Sequence, residues 1–191
     1  MLLMPLYYQV VRGESVLATG LLLIPQSVGT MLYFGLVRKF TRRLDGRIVI
    51  GGGLLLMMIG VLPFALSGAG ASTPLLLAGQ FVLGIGFGAS TFPVLSLALA
   101  GLSHDEAPRG SVAFSIVQRV GSPFGVAVVS VILQSGLNSA RAPHEVLDAF
   151  TGTFWWTLLF TAIPLLVVPF LPGKNVVEPD RATDELEPAA A

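Results

Sequence analysis

Within residues 109–134, RGSVAFSIVQRVGSPFGVAVVSVILQ, polar side chains recur at helical spacing: Ser111, Ser115, Gln118 and Ser122. Steps of four, three and four residues draw one polar stripe along a helix. Arg119 lies beside that stripe and is the one charged residue inside a predicted span. A charge at mid-membrane costs at least about 2.5 kcal/mol, so Arg119 is expected to face protein or a water-filled path and to find a partner. It suits either the lining of a substrate or ion pathway, or a structural role satisfied by carbonyls, by Gln118 or at an interface. Gln26, in LIPQSVG, and Gln80, in LAGQFVLG, are the other strong hydrogen-bonding side chains in apolar runs. Each suits contact with a polar substrate, although interhelical hydrogen bonding is the commoner use of such groups. The candidate pathway residues are therefore Gln26, Gln80, Gln118, Arg119, Ser115 and Ser122.

Other chemistries lack their residues. The chain has no cysteine and only two histidines, His104 and His144, which leaves no metal centre to expect. No catalytic triad or paired catalytic carboxylate is visible, so neither an enzyme nor a cofactor is expected. His104, Asp105 and Glu106 cluster in a segment that reads as a solvated turn. None of the predicted spans carries Asp or Glu, the groups that usually load and release a coupled proton. Glu14, at a span mouth, is the nearest substitute.

The elements that must hold these residues follow from composition. Of 191 residues, 53% are hydrophobic and 12% charged, half the charged share of an ordinary soluble domain, and the mean hydropathy is +0.80. This is an all-α integral membrane composition. A span takes about 20 apolar residues, and five segments qualify: Leu17 to Val37, Ile48 to Leu66, Pro74 to Ala98, Gly110 to Leu133 and Phe154 to Leu171. Met1 to Val11 would reach only about 17 Å as a helix and reads as the outer half of a span. MLLMPLYYQVV lacks a basic leader region and a small-residue cleavage site, so it does not read as a secretory signal. Two domains are expected, a helical membrane domain over 1–172 and a disordered acidic tail over 173–191.

Orientation comes from RKFTRRLDGR, which gathers five of the eleven Lys and Arg residues: Arg38, Lys39, Arg42, Arg43 and Arg47. Basic residues beside span ends stay in the cytoplasm, so this loop, with Asp45, is expected inside as a topology anchor and gating loop. The tail then lies inside as well, and 12–15, 67–72 and 138–148 lie outside. Tyr7, Tyr8, Phe154, Trp155 and Trp156 would sit at the outer interface, where aromatic rings are favoured. Pro25 and Pro93 fall mid-span and are candidate kinks. GIGFG (84–88) lacks the strand that a dinucleotide loop requires. Gly84 with Gly88, and Gly121 with Gly125, read instead as small-residue pairs for helix packing.

These residues also carry a family resemblance. PLYYQVVRGESVLATGLLLIPQSVG (5–29) and SIVQRVGSPFGVAVVSVILQ (115–134) resemble segments of the fourteen-span drug/proton antiporters of the major facilitator superfamily. FTRRLDGRIVIGGG resembles a degraded copy of that superfamily's cytoplasmic loop motif. Arg43 and Arg47 fall on its basic positions, with Arg42 where Asp is expected and Asp45 where Gly is expected. The resemblance covers residues 1 to about 172 and implies the last five spans of such a transporter. It implies proton-coupled export of drugs or other amphipathic small molecules by alternating access, in a multi-pass plasma-membrane protein. The implied partners are the lipid bilayer, an amphipathic substrate, protons and an N-terminal transporter half, with no nucleic acid. Two alternatives stand beside it: a stand-alone oligomeric channel or accessory subunit, and an inactive truncated remnant.

Overall fold

Proline and glycine placement decides where these helices break and how closely they approach. The computed structural model describes residues 2–37, 44–66, 71–99 and 107–170. Arg38, Lys39, Arg42, Arg43, the 103–106 cluster and the acidic tail lie outside the described residues. The described ones form helices and turns with no strand element. Five stretches are long and apolar enough to cross a membrane: Val16–Gly35, Gly46–Leu66, Thr73–Val94, Pro108–Ser139 and Pro143–Val167.

Helix α1 (Leu3–Leu6) continues as a π-helical turn, Tyr7–Val11. The chain then reverses at Gly13, whose φ of 67° is open to glycine without strain. Ser15, in extended conformation, opens α2 (Val16–Leu22) by accepting the Ala18 N–H on Oγ at 3.2 Å. A single residue, Leu23, separates α2 from α3 (Ile24–Leu32). Pro25 is the cause: it has no N–H to offer the preceding turn, and its ring crowds that turn's carbonyl. Helix α3 ends in a second π-helical turn, Tyr33–Val37.

Helices α4 (Gly46–Leu66) and α5 (Thr73–Leu99) form the tightest antiparallel pair. Gly53 and Gly60 on α4 meet Gly79 and Gly86 on α5, each pair seven residues apart. A Cβ at Gly60 would stand 2.6 Å from the Gly79 carbonyl oxygen, and one at Gly86 2.6 Å from that of Gly53. Helix α3 runs parallel to α5 along a second small-residue seam. Gly84 lies against the Gln26 carbonyl, Gly29 against that of Phe81, and Gly88 beneath the Tyr33 ring. The Thr30 hydroxyl donates to the Gly84 carbonyl at 3.0 Å and ties this seam.

The core departs from the interfacial arrangement expected of its aromatics. Tyr7 and Tyr8 are fully buried, and Tyr7 sits edge-to-face with Phe64 at 5.5 Å and Phe154 at 5.8 Å. Phe150 completes the cluster at 6.1 Å from Tyr7. These rings are core residues because three elements converge on them, an arrangement that a per-segment hydropathy reading does not contain. Trp155 and Trp156 are exposed, yet they lie half-way along their helix rather than at its mouth.

Helices α6 (Ala107–Ser139) and α7 (Pro143–Val167) are longer than the apolar runs that marked them. The expected outer loop 138–148 shrinks to 140–142. Its sequence holds a helix start: Pro143 opens α7, and the Glu145 carboxylate accepts the N–H groups of Arg141 and Ala142. Among the described residues, the C-terminal part of α6 packs on the rest of the fold, with Leu133 buried and Gly136 against Ala149. From Ser115 to Val128 every residue of α6 is exposed.

Candidate substrate pathway

The structure separates the six candidate residues into two groups. Gln26 and Gln80 stand on the α3–α5 pair, about one helical turn apart, since Gln26 lies against Gly84. Gln26 is half-buried, and its carbonyl accepts the Thr30 hydroxyl at 3.1 Å. Gln80 is wholly buried, and its Nε2 donates to the Tyr8 hydroxyl at 2.7 Å. Among the described residues its Oε1 has no partner. A buried amide can satisfy only part of its capacity through one hydroxyl, so one polar valence here stays open. The hydroxyl of Thr19, on α2, is likewise buried with no partner among the described residues.

Ser115, Gln118, Arg119 and Ser122 form the second group, on the exposed stretch of α6. The serines are partly self-satisfied: Ser115 Oγ donates to the Ser111 carbonyl and Ser111 Oγ to that of Pro108, each at 2.8 Å. This back-bonding along one helix is a common local use of a mid-helix serine. Arg119 lines a recess of about 290 Å³ with Ser111, Val112, Ser115 and Ile116. Among the described residues neither Gln118 nor Arg119 has an ion pair or hydrogen bond. The partner expected for Arg119 is therefore not supplied by the described part of this chain.

Two functional-looking residues escaped sequence reasoning. Tyr8 read as an interfacial ring and is instead the clasp on Gln80. Arg12 opens the 12–15 stretch expected outside and carried no role of its own. Its guanidinium donates to the Ala71 carbonyl at 2.9 Å and to Thr73 Oγ1 at 3.0 Å, joining the first turn to the start of α5. The one local signal was Arg12's position beside the Gly13 reversal, which aims a long side chain back across the helix ends. Gly84 and Gly88 face α3, whereas a Cβ at Gly121 or Gly125 would meet nothing within 4 Å among the described residues. Asp45 is exposed and its carbonyl starts α4, accepting the Ile48 N–H at 2.9 Å. Arg47 is half-buried, and its Nε has no partner among the described residues.

No family model matches the chain. It is 32% identical over 142 residues to the multidrug resistance protein B homolog of Mycobacterium tuberculosis, covering 73% of this chain and 26% of that protein. The MFS-type transporter EfpA of the same organism is 30% identical over 134 residues, covering 68% and 25%. The MFS-type transporter YcnB of Bacillus subtilis is 24% identical over 186 residues, covering 96% and 38%. The chain belongs to the major facilitator superfamily. It spans about a quarter to two fifths of the length of these relatives. As a major facilitator chain with span-length apolar helices, it is a multi-pass membrane protein. The exposed stretch of α6 in this major facilitator chain then meets lipid or further helices, and Arg119 makes plain lipid an expensive neighbour.

Proposed function

We propose that this chain is the C-terminal part of an alternating-access exporter of drugs or other amphipathic small molecules, coupled to protons. One observation carries the reading: α6 presents Gln118 and Arg119 on a face that the described residues leave uncovered. A cation there is stable when further helices cover the face and enclose a polar path. The similarity to longer transporters, one named a multidrug resistance protein homolog, supports helices of that kind as the cover. In this arrangement the two halves rock about a midplane cavity. Arg119, Gln118, Ser115 and Ser122 line one wall, and Gln26 and Gln80 stabilise the other helices of the half. The basic loop and the tail lie in the cytoplasm of a plasma-membrane protein. The coupling acid comes from the companion half, since no described span of this chain holds a buried carboxylate.

Dye transport in membrane vesicles under an imposed pH gradient tests this. The chain is expressed alone, and then with the N-terminal spans of the Mycobacterium tuberculosis relative. Movement of a fluorescent amphipathic dye is expected only in the paired sample, and is lost on Arg119→Ala at unchanged protein level. Movement with the chain alone would refute the need for a companion and favour an oligomer of this chain. No movement with both halves present and folded would refute transport.

A further inference from the structure

The turn between α6 and α7 borders an open recess of about 680 Å³. That volume lies within the range of ligand sites, roughly 300–1,000 Å³. Val10 and Val11 of the opening segment and Val146 and Leu147 of α7 form its apolar wall, while Arg141 and His144 supply the polar side. We propose that this recess holds the phosphodiester headgroup of an anionic lipid, with the upper acyl chain along the valine wall. The reading does not depend on the transport proposal.

Three features point to that ligand class. The first is position: α6 ends at Ser139 and α7 starts at Pro143, so the recess sits where two span-length helices both end. Headgroups lie at that level of a bilayer, just beyond the hydrocarbon. The second is charge. Arg141 offers a planar fork that fits phosphate oxygens bidentately, and His144 adds a second donor beside it. Of the neighbouring acids, Glu145 interacts electrostatically with His144, but its carboxylate is not part of the recess wall. The Glu145 carboxylate is turned to the N–H groups of Arg141 and Ala142, and neither Glu145 nor Asp148 lines the cavity. Among the described residues Arg141 has no ion pair. The third is the wall: Val10 is 52% exposed, apolar surface that a free phosphate would leave wet and an acyl chain would cover.

The test uses the full chain purified in a maltoside detergent and titrated with dioleoyl-phosphatidylglycerol, dioleoyl-phosphatidylcholine or inorganic phosphate, with bound species counted by native mass spectrometry. Phosphatidylglycerol is expected to bind at least tenfold more tightly than phosphatidylcholine. Arg141→Gln with His144→Gln should lower its affinity at least tenfold, whereas Arg109→Gln, at the other end of α6, should not. Val146→Trp fills the recess and should abolish retention with Arg141 and His144 both in place. Both altered side chains of the double variant are exposed, so its unfolding midpoint should match the parent. Equal binding of the two lipids, or an unchanged double variant, overturns the site. Competition by inorganic phosphate at the lipid's own affinity overturns the lipid in favour of a simple anion.

Discussion

Gly60 carries the sharpest prediction of the fold. A Cβ placed there would lie 2.6 Å from the Gly79 carbonyl oxygen, 2.6 Å from Leu83 Cβ and 2.7 Å from the Leu83 nitrogen. Two of these atoms are backbone and the third is rigidly attached to it, so no side chain can swing away. Gly60→Ala therefore forces α4 and α5 apart, at the roughly 1–3 kcal/mol typical of overpacking. The same substitution removes a glycine from a helix interior, a gain of about 1 kcal/mol. Gly52→Ala isolates that gain, because Gly52 is in the same helix and has nothing within 4 Å. The measurement is the unfolding free energy of the full chain in mixed micelles titrated with a denaturing detergent. Gly52→Ala should be as stable as the parent or more so. Gly60→Ala should fall below Gly52→Ala by the overpacking cost alone, about 5-fold to 140-fold in the folding equilibrium. If the two variants agree within about 0.5 kcal/mol, well under that overpacking range, the glycine seam does not set the approach of these helices.

Three further outcomes follow from single contacts. Tyr8→Phe strands the buried Gln80 amide and should destabilise the fold by about 1–3 kcal/mol. Adding Gln80→Leu should recover part of that loss, a coupling readable from a double-mutant cycle in the same micelle titration. Arg12→Ala removes the bonds to Ala71 and Thr73, and amide hydrogen exchange at Leu75 and Leu76 should quicken while that of α4 stays unchanged. Glu145→Ala frees the amides of Arg141 and Ala142, so those two should exchange faster and the first turn of α7 should fray; unchanged exchange would show that the carboxylate does not hold the turn.

Much of the helix content was legible because apolar run length responds directly to the thickness of a bilayer. The break at Leu23 was also within reach, since Pro25 acts on its own preceding turn whatever lies around it. The α6–α7 boundary was misplaced for a local reason: 143–153 is too polar to score as a span, yet Pro143 and Glu145 form a helix start. Of the site, Gln80 could be named from its type in an apolar run, but its partner lay far away along the chain. The seven-residue glycine spacing on α4 and α5 was on view as well. Nothing local tells a glycine that meets a neighbour's backbone, such as Gly60, from one that meets nothing, such as Gly125.

The sequence by itself therefore determined class, spans and the residues able to do polar chemistry, because each depends on side-chain type and on spacing along one helix. Its motifs also pointed to the family that the comparisons establish. Only the tertiary structure decided which polar groups have partners. It buried Tyr7 and Tyr8 in a shared aromatic core, clasped Gln80 with Tyr8, and left Arg119 on a face that the described residues do not cover. Partnership between helices depends on which faces meet, and that is a property of packing between segments remote in sequence.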